Sequence, residues 1–138
     1  MATTLPDEVR TVLQNKAYAH MITFNRDGSP QVSMVWVDAD GDEVLINTAI
    51  GRVKEKNLRR DPRVILSVQD PSDAQAYVLI HGQATLTEEG AVAHIDKLAN
   101  RYFGVDEYPY HSPDEPRIIV RITPDRVSGL APGMGSWT

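Results

Sequence analysis

The sequence predicts one mainly β domain, an antiparallel barrel of about six strands interrupted by short helices. Three observations predict it. The 138 residues suit a single domain. Segments rich in β-branched and aromatic residues recur at short intervals, and most are separated by Gly, Pro and Asp turns rather than by the long crossovers that parallel strands need. Hydrophobic residues make up 41% and charged residues 24%, so residues 1–138 read as one ordered unit without a disordered or fibrous part.

The elements follow in chain order. Leu5-Pro6-Asp7-Glu8 places Pro where a first helical turn tolerates it and acids where the helix dipole favours them. Val9, Val12 and Leu13 add an apolar stripe, giving a helix over about residues 6–16. Tyr18 to Asn25 reads as a strand, Arg26-Asp27-Gly28 as a turn and Pro30 to Asp38 as the returning arm of a hairpin. Ala39-Asp40-Gly41-Asp42 is read as the next turn and Glu43 to Ala49 as a third strand.

Gly51 then releases the chain into a basic segment, a helix of about two turns, which Asp61-Pro62 stops. Val64 to Val68 and Tyr77 to Leu86 are strands flanking the loop at Asp70 to Asp73. Thr87 is read as the cap of the longest helix, whose apolar side carries Val92, Ile95, Leu98, Ala99 and Tyr102. His94, Lys97 and Arg101 fall on another side of it. Gly104 to Pro116 reads as a surface loop and Arg117 to Arg126 as the last strand, with Arg117 and Arg121 as solvent-facing charges. The tail from Leu130 has no periodicity, and Trp137 is expected to be loose.

Composition narrows the chemistry. There is no cysteine, which removes disulfides, thiolate metal sites and cysteine nucleophiles. The four histidines are dispersed without zinc-type spacing, so no metal is expected. The net charge of −5 repels polyanions at long range, so neither nucleic acid nor an anionic membrane is an expected partner. No apolar run approaches the roughly 20 residues of a membrane-spanning helix, and Met1 to Asp7 lacks the pattern of a secretion signal. The expected location is the cytoplasm.

Against that acidic background, residues 52–63 hold six of the 14 Lys and Arg residues. A strand running into a helix N-terminus offers unpaired N–H groups and partial positive charge, and adjacent Arg and Lys suit the place to phosphate. Helical geometry sets a condition: Arg52 and Lys54 converge only if both lie in the entry turn. On composition alone the same run reads as a solvated helix face. Met34 and Trp36 have a similar double reading, as core of an alternating strand or as a platform for a flat ligand. His81 reads as a strand residue, and no residue is assigned a catalytic role.

The run Lys54-Glu55-Lys56-Asn57-Leu58-Arg59-Arg60-Asp61-Pro62-Arg63, preceded by Ile46-Asn47-Thr48, resembles the pyridoxamine 5′-phosphate oxidase-like split-barrel superfamily, also called the FMN-binding split barrel. The resemblance covers nearly the whole chain, including the Asp27-Gly28-Ser29-Pro30-Gln31-Val32-Ser33 hairpin. Arg52-x-Lys54 and the Gly129-Leu130-Ala131-Pro132-Gly133-Met134 ending are most similar to small actinobacterial members that use the deazaflavin coenzyme F420. Where the oxidases proper have Ser-Arg-Lys, this chain reads Arg52-Val53-Lys54, so vitamin B6 oxidation is not the expected reaction.

The resemblance implies a homodimer with two cofactor sites at the subunit interface. By position, Arg52 and Lys54 would hold the cofactor phosphate, with Lys56, Asn57 and Arg60 alongside and Thr48 near the phosphate or ribityl chain. Gln31, Ser33 and Met34 would lie against the ring system, and Tyr77, Pro132 and Met134 would close the pocket from the partner chain. The expected function is hydride transfer between coenzyme F420 and a small unsaturated organic substrate. FMN in place of F420, or a non-enzymatic flavin-, F420- or haem-binding role, are the alternatives.

Overall fold

The computed structural model describes residues 2–137. Helix α1 (Asp7–Leu13) is followed by strands β1 (Tyr18–Phe24), β2 (Pro30–Trp36), β3 (Asp38–Asp40) and β4 (Glu43–Ala49). Helix α2 (Val53–Arg60) leads to β5 (Arg63–Gln69) and β6 (Tyr77–Thr87), and α3 (Ala91–Phe103) to β7 (Arg117–Leu130). A 3₁₀ turn at Pro132–Met134 lies near the end.

All seven strands form one antiparallel sheet in the order β2-β1-β5-β6-β7-β4-β3. Its two edge strands, β2 and β3, are consecutive in the chain with only Val37 between them. A flat sheet would separate its first and seventh strands by about 29 Å, at about 4.8 Å per step, and one residue spans about 3.3 Å. The sheet therefore curls until its edges meet, which makes the split barrel. Val37 has no exposed surface and belongs to the core, with Met21, Ile46, Leu66, Ile80 and Ile122.

Three parts differ from the sequence expectation. Asp38-Ala39-Asp40 is a separate strand paired with Glu43–Leu45, so the sheet has a seventh member where the hairpin arm was expected to end at Asp38 and a turn to begin at Ala39. Three residues are too few for an alternation signal, and their acids argue for a turn. Thr87 does not cap α3; it ends β6 opposite Ile119, and the helix is entered through Gly90 at φ 78°. Trp137 is buried, and its indole N–H donates to the Tyr77 carbonyl at 2.8 Å, so the tail folds back onto β6.

Gly129 permits that return. Its φ is +117°, and a Cβ there would lie 2.3 Å from the Tyr77 carbonyl oxygen, so only glycine fits.

Candidate functional site

A cleft of about 340 Å³ opens where β4 meets α2, and α3 and the loop after it form its other wall. One end is cationic, with Arg52, Lys54 and Arg117; most of the rest is apolar or aromatic, with Tyr18, Trp36, Phe103, Tyr108 and Tyr110 beside Met34, Val35, Ile95 and Leu98. That combination suits a flat organic body carrying an anionic group.

The cationic end is built by the turn into α2. Arg52 is the N-cap, with extended backbone at φ −71° and ψ 156°, and Lys54 follows in the first turn. The entry-turn condition is thus met, and both side chains reach the cleft. Glu55, buried, turns back to accept the Gly51 N–H at 2.7 Å and pairs with Arg59. With Arg52 at the N-cap making no side-chain cap bond, Glu55 satisfies the N–H of the residue before the cap, an arrangement that lacks the Ser or Thr of a capping box and so carries no local sequence signal.

Burial pushes the Lys54 ammonium below its ordinary pKa, and the neighbouring charges of Arg52 and Arg117 push it the same way. Burial also lowers Arg117, opposed by Tyr108 and reinforced by Arg52. Glu115 offsets part of this charge through an ion pair with Arg52 at 3.2 Å. A cluster of partly desolvated cations favours an anion strongly. Thr48 also lines the cleft, on the inward register of β4 with Val44 and Ile46 but close to the strand end; its buried hydroxyl has no partner among the described residues.

Trp36 stacks on Tyr102 with centroids 4.7 Å apart and planes 8° apart, while Phe103 and Tyr108 meet it edge-on. Tyr102 is held by donating to the Ala17 carbonyl and accepting the Val37 N–H. Met34 is well exposed on β2 and lines the cleft, rather than filling the core.

The expected site residues divide. Met34, Thr48, Arg52 and Lys54 come together in the cleft. Asn57 is buried and turned inward, its amide donating to Thr23 and Asn25, and Arg60 donates to the Phe24 carbonyl and Asn57. These two tie α2 to β1. Lys56 stays exposed on α2. Gln31 accepts from Thr23, and Ser33 pairs with Met21 on the edge strand. Tyr77, Pro132 and Met134 stand at the tail, away from the cleft of their own protomer.

Arg117, expected to face solvent, is buried. Its side chain belongs to the cleft, where the α3 loop covers it. His94, likewise, is buried beside Asp38. No group of three or more potential metal ligands occurs among the described residues.

Residues 5–131 match the sequence profile of pyridoxamine 5′-phosphate oxidase. The chain belongs to the pyridoxamine 5′-phosphate oxidase family. Among solved structures, an F420 reductase is similar at 28% identity and a TM-score of 0.76, over 90% of this chain and 98% of that one. A putative pyridoxamine 5′-phosphate oxidase from Listeria innocua shares 20% identity at a TM-score of 0.70, covering 91% and 97%. An FMN-binding protein from Nostoc punctiforme shares 14% at 0.60, covering 88% and 76%. The last two establish the shared fold alone. Within the pyridoxamine 5′-phosphate oxidase family, then, this member carries three cations, two of them buried, and five aromatic side chains in one cleft. No helix of the described residues is long and apolar enough to cross a membrane.

Proposed function

We propose that this protein is an oxidoreductase whose cleft binds coenzyme F420 and delivers hydride to a small unsaturated organic substrate. The observation that carries the reading is the convergence of Arg52 and Lys54 at the end of an aromatic cleft, beside the unpartnered Thr48 hydroxyl. These residues fit the phosphate-bearing end of a flavin-like molecule. The F420 reductase, at 28% identity over nearly its full length, supports the deazaflavin.

When bound, such a cofactor supplies the hydride at its ring; the chain supplies position, charge and exclusion of water. Arg52 and Lys54 hold the phosphate, and the Thr48 hydroxyl takes up the phosphate or ribityl end. Met34 and the Trp36 side of the cleft flank the ring. Gln31, Ser33, Tyr77, Pro132 and Met134 lie off this protomer's cleft, so their roles require a homodimer with sites at the interface. The exposed Val32 and Met34 on edge strand β2 support a second copy there.

FMN is the second reading, and a specific observation favours it. The oligoglutamate tail of F420 gives a use to extra cations on α2, yet Arg59 is engaged by Glu55 and Arg60 by Phe24 and Asn57. Only Lys56 of that set stays exposed without such an engagement. Parallel fluorescence titrations with coenzyme F420 and FMN decide between them: tighter F420 binding supports the first reading, tighter FMN binding the second. Failure of both ligands to bind rejects the cofactor site.

A further inference from the structure

Arg117 opens β7 opposite Ala49 of β4, and it is the cleft cation whose direction is most completely fixed. Its Nε donates to Asn47 Oδ1 at 2.9 Å, and its guanidinium lies 5.1 Å from the centre of the Tyr108 ring. Arginine can only donate, so the Asn47 oxygen must face it. The Asn47 NH₂ then donates to the Ala91 carbonyl at 2.8 Å and faces His94 Nδ1 at 3.2 Å. An amide NH₂ cannot accept, so Nδ1 does, and the His94 proton sits on Nε2. Nε2 donates to Asp38 Oδ2 at 3.1 Å.

Asp38 ends the chain. It has no exposed surface, and Arg101 at 3.0 Å and Lys97 at 3.4 Å complete its ion pairs. Four residues from β3, α3, β4 and β7 are thereby locked in a single hydrogen-bond sense. The lock reaches Arg117 through a neutral amide, which fixes the guanidinium without neutralising it. A buried cation kept beside two others, its Nε held by an uncharged acceptor, is poorly explained as a means of stabilising the fold.

We infer that Arg117 is a third anion-binding cation of the cleft, aimed at the phosphate of a phosphate-bearing ligand by the Asp38–His94–Asn47 chain. The inference rests on the proposed function, because it takes this cleft as the ligand site. Arg117 contributes a planar fork suited to two phosphate oxygens, where Lys54 contributes a point charge. Asn47 and His94 are positioning residues.

The test is a set of titrations with paired probes, FMN against riboflavin and coenzyme F420 against its phosphate-free deazaflavin core. For the pair that binds, Arg117→Met should weaken the phosphate-bearing member about tenfold or more and the phosphate-free member less than about twofold. Arg117→Lys should recover part of the loss, and Asn47→Ala, which keeps the charge and frees its direction, should cost a smaller factor on the phosphate-bearing member alone. Equal losses on both members would make Arg117 a structural support and overturn the inference. Unchanged phosphate affinity in Arg117→Met, beside a loss in Lys54→Ala, overturns it and leaves the proposed function standing. No effect from either variant, or no binding of either pair, overturns both. If melting shows Arg117→Met to be unfolded, Arg117→Lys and Asn47→Ala decide by the same contrast.

Discussion

His94 Nε2 lies 3.1 Å from a carboxylate oxygen of Asp38, two residues brought together from α3 and β3. The contact joins the wall of the cleft to a fully buried charge, and it fixes where the imidazole carries its proton. Nitrogen chemical shifts of His94 at neutral pH should therefore report a protonated Nε2 and a bare Nδ1. The opposite tautomer would break the chain at Asn47.

The Asp38 carboxyl stays well below its ordinary range although burial alone would raise it, because the His94 bond, the Ala39 N–H and the Arg101 charge outweigh burial. A depressed carboxylate contributes stability above the unfolded pKa, about 4, and loses it as pH falls toward the folded value. Denaturant melts should show the wild type weakening steeply below about pH 4. Asp38→Asn, which leaves Arg101 and Lys97 facing a neutral amide, should be less stable by about 3 kcal/mol at pH 7 and show a flatter acid limb.

Lys54→Ala should weaken binding of the phosphate-bearing cofactor by about 1–3 kcal/mol, measured by fluorescence titration. The pH profile carries a second check. Only the cation attracts phosphate, and the Lys54 pKa is lowered first by burial and then by Arg52 and Arg117. Affinity in the wild type should decline with rising pH before the ordinary lysine range is reached, and this decline should vanish in Lys54→Ala. Retention of both affinity and profile would remove Lys54 from the site.

Gly129→Ala should lower stability by about 1–3 kcal/mol, since alanine disfavours the positive φ. Its Cβ would also press on the Tyr77 carbonyl, which receives the Trp137 indole. Thermal melting tests this, and loss of the burial of Trp137 should appear as a red shift in tryptophan emission.

The parts legible in the sequence were those written locally. Strand alternation, glycine turns and the Asp61-Pro62 stop placed most elements, and the basic entry to α2 located the cationic end of the cleft. The resemblance carried by residues 54–63 supplied the split barrel and its family. What the sequence hid was assembled across distance. Asn47 and Arg117 are 70 positions apart and meet only through the β4–β7 register. Asp38 looked like the solvent-side end of a hairpin arm, and His94 like the polar side of a helix, because nothing local shows that each is buried by the other. The hydrogen bonds that Asn57 and Arg60 make to residues 23–25 were equally hidden, because they join α2 to a strand more than thirty positions earlier.

The single residue between β2 and β3 holds the two edges of the sheet together. A glycine inserted on either side of Val37 would leave every ladder pairing intact in principle while letting the two edges drift apart, as a buckle let out by one hole loosens a belt. Since Trp36 and Asp38 sit on the two sides of that buckle, such insertions would separate the aromatic wall from the lock behind Arg117 in graded steps, giving a way to tune ligand fit without touching any ligand-facing side chain.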